Sequence, residues 1–230
     1  LYCAAPIVSE IHGGTVMKKR SKLAIVTDGS LPKENPPVNV DAVVPFWVNF
    51  MVFRSGRWIL ESRSQEEFTP VEFFRIQKDS KDLPTTSQPN PEDFLQVFLK
   101  LEEVGFEQIL VLVVPKSKSG TFDSAVQAKE KLENEYPRSK IEVEVFDTGI
   151  TASGVEFMAE VAIRARDEGK SLSEIVWELN ELRPNIELFL ALDTIRYLGS
   201  SGRVESLADH KIKETMKRYM RQLGSSIVSI

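Results

Sequence analysis

The sequence has little cysteine and little histidine, the residue types on which many metal sites and nucleophilic enzymes depend. Its one cysteine, Cys3, excludes an internal disulfide and a cysteine metal cluster and fits a reducing cytoplasm. The two histidines are His12 and His210, so a His-ligated metal site is disfavoured and a Ser-His-Asp triad has only two candidate bases. These shortages favour a protein that binds its ligand over one that transforms it.

Long apolar runs and an excess of basic charge are also missing. No stretch approaches the ~20 apolar residues that a membrane-spanning helix needs. The 29 Lys and Arg residues are outnumbered by 34 Asp and Glu residues, and the resulting net charge of −5 argues against a nucleic-acid binder. With 42% hydrophobic and 27% charged residues among 230, the composition excludes collagen-like, coiled-coil and disordered chains.

Short apolar segments alternate with amphipathic ones along the chain. Apolar runs at residues 22–27 and 109–114 predict buried strands, and the segment at 141–146 predicts the next strand along the chain. A Val- and Phe-rich segment at 43–53 predicts another strand before a hairpin turn at 55–56. Helices are expected to begin near Thr69, Asn90, Thr121, Ala152 and Ser171. This alternation predicts an α/β fold with a parallel sheet and helices on both faces.

Three finer expectations concern the same pattern. The helix that starts at Asn90 is expected to turn Phe94, Val97, Phe98, Leu101 and Val104 toward the core. Residues 83–89 are expected to form a loop, and residues 188–192 are expected to form a last strand.

Small polar residues follow several of the predicted strands. Ligands of open parallel sheets bind at the carboxyl ends of the strands, so these residues are expected to share one edge. They are Asp28, Gly29, Ser30, Ser117, Ser119, Gly120, Thr121, Asp147, Thr148 and Thr151, and Thr85, Thr86, Ser87 and Gln88 precede another helix. Helix N-termini and hydroxyls suit one anion, although each such residue alone is typical of a helix cap.

A phosphate-binding glycine loop is not among these features. The segment at residues 117–121 lacks the glycine spacing of a P-loop, and no Gly-x-Gly-x-x-Gly motif occurs. Nucleotide binding by this chain is therefore disfavoured, and the sequence favours a small, nearly neutral anion site.

Five groups of short motifs, in order and with matching spacing, resemble the DegV family over residues 22–204, most of the chain. They are Val-Thr-Asp-Gly-Ser at 26–30, Thr-Ser-Gln-Pro at 86–89, Lys-Ser-Gly-Thr-Phe-Asp-Ser-Ala at 118–125, Phe-Asp-Thr at 146–148 leading to Ser-Gly at 153–154, and Asp-Thr-Ile-Arg-Tyr-Leu at 193–198 followed by Gly-Arg-Val at 202–204. Each alone is a weak signal, whereas five in order are specific.

The resemblance implies a cytoplasmic, bacterial fatty-acid-binding protein with two α/β domains. It implies no enzyme activity and no cofactor, because the ligand is a long-chain fatty acid in a buried tunnel. The carboxylate is implied to lie against five residues of the second and third motifs, namely Thr86, Ser87, Ser119, Gly120 and Thr121. Asp28 and Ser30 are then expected at the rim of the pocket.

The resemblance also implies a protein partner. Bacterial members of the family present the bound acid to a separate fatty acid kinase, which makes an acyl phosphate for phospholipid synthesis. Arg203, in the Gly-Arg-Val motif near the mouth, is implied to face that partner.

The chain departs from the family pattern at three places. Gly29 stands where the family usually has serine, residues 115–118 are less apolar than usual, and the part that follows the Gly-Arg motif is short, with no histidine to match the family's. We therefore expect an extension of uncertain status at 1–16, a head-group-binding α/β domain at 17–184, and a shortened second domain at 185–230. The latter ends in a basic amphipathic helix at 207–223, whose outer face is either solvated or in contact with a membrane or a partner.

Two other functions stay open on the sequence. One is a regulatory or assembly module of the same fold that has lost lipid binding. The other is a serine hydrolase with Ser119 as nucleophile and His210 as base, although the Gly-x-Ser-x-Gly elbow is absent.

Overall fold

A four-stranded parallel sheet forms the centre of the computed structural model, which describes residues 21–31, 38–80 and 82–188. Its strands run in the order β2–β1–β6–β7, with bounds β1 Leu23–Asp28, β2 Ala42–Val44, β6 Gln108–Val113 and β7 Glu142–Asp147. All pairings in this sheet are parallel. The two central strands are buried almost throughout, as expected for strands covered on both faces.

Two pairs of helices cover the two faces of this sheet. One face packs against α2 (Pro91–Glu103) and α3 (Thr121–Glu135), and the other packs against α4 (Ser153–Asp167) and α5 (Leu172–Leu182). Strand β6 divides its side chains between the two cores by simple alternation, as a pleated strand must. The predicted α/β class, with helices on both faces of a parallel sheet, is confirmed.

A second, antiparallel sheet lies in the middle of the sequence. It has the order β4–β3–β5, with β3 Trp47–Arg54, β4 Arg57–Ser64 and β5 Thr85–Ser87. Helix α1 (Pro70–Asp79) follows the hairpin, and Phe73 and Ile76 of this helix pack on the core formed by Val48, Phe50 and Phe68. The predicted hairpin turn at 55–56 is confirmed, with both residues at positive φ.

Three finer predictions differ from the structure. The single strand expected at 43–53 is wrong, because Pro45 and Phe46 interrupt it and its two parts join different sheets. The loop expected at 83–89 contains β5, whose short polar sequence gives no strand signal. Val104 was expected in the core but is 63% exposed, because it caps α2 beyond the last inward turn.

The predicted domain limits remain predictions. The extension at 1–16 and nearly all of the shortened second domain at 185–230 lie outside the described residues, as does most of the strand expected at 188–192. Within 17–184, the antiparallel sheet is an addition that the sequence pattern did not predict.

Candidate functional site

The order of the parallel strands creates a topological switch point between β1 and β6, the place where open parallel sheets have their ligand-binding crevice. After β1 the chain pairs β2 on one side, and it later returns to pair β6 on the other side of β1. Strand order therefore reverses between β1 and β6, and the loops that leave their carboxyl ends diverge. The polar residues predicted to gather at one edge follow these strand ends.

Asp28 closes the base of this crevice. Its side chain is fully buried, and its two carboxylate oxygens accept hydrogen bonds from the backbone N–H of Val114 at 2.7 Å and of Ser30 at 3.0 Å. Burial raises the pKa of the Asp28 carboxyl, and the hydrogen bonds from Val114 and Ser30 offset only part of that shift. Asp28 therefore braces the loops after β1 and β6, and its place at the rim of a pocket remains a prediction.

The Ser-Gly-Thr motif forms the start of α3. The hydroxyls of Ser119 and Thr121 are 2.8 Å apart, and the Thr121 side chain is buried beneath the half-buried Ser119. Gly120 is the N-cap residue, and no side chain caps the helix. The Thr121 N–H donates to Ser119 Oγ at 3.4 Å, and the backbone N–H groups that follow it in the first turn of α3 have no side chain of the N-cap residue to accept from them.

Helix α4, after the neighbouring strand β7, also starts without a capping side chain. Its N-cap residue is Ala152, whose φ of 51° and ψ of −127° lie in a region that L-residues rarely adopt. By contrast, α1, α2 and α5 each begin with a complete capping box, at Thr69, Asn90 and Ser171. Both helices without a capping side chain start at the carboxyl edge of the parallel sheet, α3 after β6 and α4 after the edge strand β7. The partial positive charge of a helix start suits an anion.

The Thr-Ser-Gln-Pro motif meets the Ser-Gly-Thr motif at this edge. The side chain of Gln88 lies so close to Gly120 that a Cβ added there would overlap its amide nitrogen and stand 3.0 Å from its Cδ. A similar close approach joins the start of β3 to the end of β1, since a Cβ on Gly29 would lie 2.6 Å from the backbone nitrogen of Phe46. The structure thus brings together two motifs that are 30 residues apart in the sequence.

The pleat of β5 separates the two hydroxyl residues of the first motif. Thr86 pairs with Val48, whereas Ser87 pairs with Trp47, so their side chains lie on opposite faces of the antiparallel sheet. Ser87 Oγ accepts a hydrogen bond from Asn49 Nδ2 at 2.8 Å. The side chain of Thr86 is exposed and makes no hydrogen bond to any residue that the structure describes. The Thr86 hydroxyl is therefore available to a ligand.

Sequence reasoning missed Asn49, Ser62 and Gln65. Asn49 and Ser62 connect to Ser87, and Gln65 lies against Gly29. The one signal for Asn49 was its position as the only polar residue in the apolar run at 46–53. Neither residue carries a local signal, because Ser62 is placed by strand pairing and Gln65 by the turn after β4, where the Gln65 N–H donates to the Phe46 carbonyl at 2.8 Å.

Other candidate residues and sites lie elsewhere. Arg203, His12 and His210 are outside the described residues. Among residues 21–31, 38–80 and 82–188, no group of three His, Cys, Asp or Glu side chains could hold a metal ion. In those same ranges no helix is long and apolar enough to cross a membrane. A surface groove of about 460 Å³, lined by Leu99, Tyr136 and Arg138 among others, lies at the far ends of α2 and α3, away from the motifs.

Comparison with known proteins agrees with this architecture. A DegV domain-containing protein of Clostridium acetobutylicum is 31% identical over 192 residues, which cover 81% of this chain and 63% of that protein. A protein of Thermotoga maritima named fatty acid-binding protein is 29% identical over 157 residues, 67% of this chain and 51% of its own length. The chain thus spans about three-fifths or less of the curated relatives that it matches first.

Solved structures give the same result. A fatty-acid-binding DegV family protein from Thermus thermophilus is 32% identical and superposes with a TM-score of 0.60 over 79% of this chain and 60% of its own. A stearic acid-binding protein from Eubacterium ventriosum, 24% identical, shares the fold with a TM-score of 0.68 over 83% of this chain and 63% of its own. The family model matches residues 22–210. The chain therefore belongs to the DegV family.

Proposed function

We propose that this chain binds a long-chain fatty acid and holds its carboxylate between the Thr-Ser-Gln-Pro and Ser-Gly-Thr motifs. The observation that carries the proposal is the contact of Gln88 with Gly120, which sets both motifs at the uncapped start of α3. In this proposal Thr86, Ser119 and Thr121 offer hydroxyls and the first turn of α3 offers backbone N–H groups.

Neutral donors are sufficient for this head group. A fatty acid carries a single negative charge, and backbone N–H groups at a helix start hold such a charge without a cationic side chain. The acyl tail supplies most of the affinity, since its burial gains about 0.8 kcal/mol per CH₂. The donors then fix the direction in which the acid enters.

An apolar core begins next to Thr86. Its pairing partner Val48 is 4% exposed and belongs, with Phe50 and Phe68, to the core between the antiparallel sheet and α1. Helix α1 covers these side chains, so the tail of an acid whose carboxylate is held at Thr86 has to enter this layer at the boundary between β3 and α1. We propose that the family's tunnel begins at this boundary in this chain.

The partner in this proposal is a fatty acid kinase, which acts on the acid while this chain holds it. A carboxylate oxygen forms the new bond to the terminal phosphorus of the kinase's nucleotide, and the bond from that phosphorus to the nucleotide breaks. This chain supplies the acid and no nucleotide, in line with the lack of a phosphate-binding glycine loop.

The first test is whether the purified protein carries and binds lipid. We expect native mass spectrometry and organic extraction to yield a fatty acid, and added palmitate or oleate to bind. Thr86→Ala and Ser119→Ala should each weaken binding about 2- to 10-fold, the effect of one neutral hydrogen bond. Ser173→Ala, which removes an exposed hydroxyl from α5, is the matched control and should change nothing.

The same material tests the two other functions. A protein that neither retains nor binds fatty acid contradicts the proposal and favours the assembly module. Labelling of Ser119 by a fluorophosphonate would favour the hydrolase. No observation supports the latter at present, since the Ser119 hydroxyl interacts with the Thr121 hydroxyl.

A further inference from the structure

The side chain of Asn49 links all three strands of the antiparallel sheet. Asn49 lies on the central strand β3, opposite Ser62 of β4 and Thr85 of β5. Its Oδ1 accepts a hydrogen bond from Ser62 Oγ at 2.7 Å, and its Nδ2 donates one to Ser87 Oγ at 2.8 Å. Because Ser62 engages the amide oxygen, the amide nitrogen is turned toward Ser87.

Strand β5 needs such a link more than the other strands do. It has only three residues, it lies at the sheet edge, and all three of its side chains are exposed. Three pairing positions give little stability to a strand that buries no side chain. Among the described residues, the hydrogen bond from Asn49 to Ser87 connects a β5 side chain to the rest of the sheet.

The residues on either side of Ser87 are those that the proposed head-group site uses. Thr86 precedes it on the opposite face, and Gln88 follows it and lies against Gly120. Successive side chains of a strand point to opposite faces of the sheet. A hydrogen bond that fixes one side chain therefore also fixes the orientation of its neighbour on the other face. The Ser87 hydroxyl accepts a hydrogen bond from Asn49, and its own O–H group can still donate one.

We propose that Asn49 is a positioning residue of the head-group site, a role that rests on the proposed binding of fatty acids. Asn49 acts through Ser87: it holds β5 so that Thr86 faces the carboxylate and Gln88 stays against Gly120. Ser62 supports this action by orienting the Asn49 amide. Neither Asn49 nor Ser62 touches the ligand in this arrangement.

The decisive experiment compares a fatty acid with the fatty alcohol of the same length. Asn49→Ala should weaken palmitate binding about 2- to 10-fold, the effect of one neutral hydrogen bond, and leave 1-hexadecanol binding within about 2-fold. Ser62→Ala should do the same to a smaller degree. Asn180→Ala is the matched control, because Asn180 is an exposed asparagine whose amide, among the residues that the structure describes, bonds only to the Val176 carbonyl of its own helix.

A double variant tests whether Asn49 acts through Thr86. Adding Asn49→Ala to Thr86→Ala should cost little further palmitate affinity, because the hydroxyl that Asn49 positions is already gone. Fully additive losses would overturn the proposal, and so would equal losses for acid and alcohol, which indicate general damage to the fold. If Asn49→Ala fails to fold, Ser62→Ala gives the same comparison.

The outcomes separate this inference from the function on which it rests. A wild-type protein that binds neither acid nor alcohol overturns both. A wild-type protein that binds palmitate while Asn49→Ala and Ser62→Ala bind it equally well overturns the positioning role alone.

Discussion

Asp28 is the buried charge on which the geometry of the crevice depends. It receives one backbone N–H from the loop after β1 and one from the end of β6, across the point where strand order reverses. These two bonds explain why a carboxylate tolerates a fully buried position. Burial nevertheless dominates, and the pKa of Asp28 is raised.

The raised pKa predicts how Asp28 affects stability as the pH changes. The folded protein keeps the Asp28 proton at pH values where the unfolded chain, with its usual pKa of 3.8, has released it. The contribution of Asp28 to the free energy of unfolding is therefore largest below pH 3.8 and is lost as the pH rises through the folded-state pKa. Urea unfolding of wild type and Asp28→Asn between pH 4 and 7 should show a difference that shrinks with rising pH.

The variant supplies its own control, because all other titrating groups are common to both proteins. If the difference in unfolding free energy grows from pH 4 to pH 7, the two N–H donors affect the pKa of Asp28 more than burial does. The pKa of Asp28 would then be lowered, contrary to our inference.

Single residues were predictable only where a motif marked them. Asp28, Ser119 and Thr121 follow strands and stand in recognisable motifs, so their place at the sheet edge was expected. Their partners were not, because Val114 lies 86 residues from Asp28 and only the fold brings them together. Asn49 had no motif at all, and its role follows from pairing with β4 and β5.

Among the secondary-structure elements, α4 begins at one of the two non-glycine residues with a positive φ in the described part of the chain. Ala152 has φ 51° and ψ −127°, a combination that suits glycine and costs an alanine on the order of 1–3 kcal/mol. The residue is exposed, and as an alanine it has no side-chain group that could cap the helix. The strain is local to the turn that joins β7 to α4.

This strain predicts a stabilising substitution. Ala152→Gly should raise the free energy of unfolding by about 1 kcal/mol, because glycine adopts the observed φ and ψ without steric cost. Ser153→Gly, at the first helical residue of α4, should lower it by roughly 0.5 kcal/mol, the difference between the helix propensities of serine and glycine. Urea denaturation measures both, and a destabilised Ala152→Gly would show that the alanine is not strained.

Elements whose apolar residues recur with a clear helical or strand spacing were predicted well, and elements without such spacing were not. The buried strands β1 and β6, the partly buried edge strand β7 and helices α1 to α5 follow from apolar runs, alternation, amphipathic spacing and capping boxes. The prediction of one strand at 43–53 was wrong because a composition rich in β-formers does not reveal which sheet a strand joins. Strand β5 was not predicted because it is short and polar and is held in place by its neighbours.

At the scale of the whole molecule, Asp41 and Arg166 connect the sheet to α4. Asp41 Oδ2 accepts from the backbone N–H of Ile25 at 2.9 Å and pairs with Arg166 at 2.7 Å, although 125 residues separate the two side chains. The Asp41 and Arg166 side chains are only 18% and 13% exposed, so water screens this pair poorly. The pair holds the edge strand, the central strand and the helix layer in one arrangement.

Removal of this carboxylate should therefore weaken the entire fold. Asp41→Ala leaves the Ile25 N–H and the Arg166 guanidinium short of a partner, and we expect a loss of about 2 kcal/mol in a single cooperative unfolding transition. The exposed pair of Lys22 and Glu107 is the control, and Glu107→Ala should cost no more than about 1 kcal/mol. Equal losses for the two variants would contradict the role of Asp41.

The close approach at Gly29 brings the antiparallel sheet against the end of β1. A Cβ on Gly29 would lie 2.6 Å from the backbone nitrogen of Phe46, whereas a Cβ on Gly120 would meet only the end of the flexible Gln88 side chain. A methyl group at Gly29 would therefore act as a spacer between the two sheets, because a backbone atom cannot turn aside as the Gln88 amide can. The spacing of the sheets beside the proposed head-group site thus depends on a single carbon atom that glycine lacks.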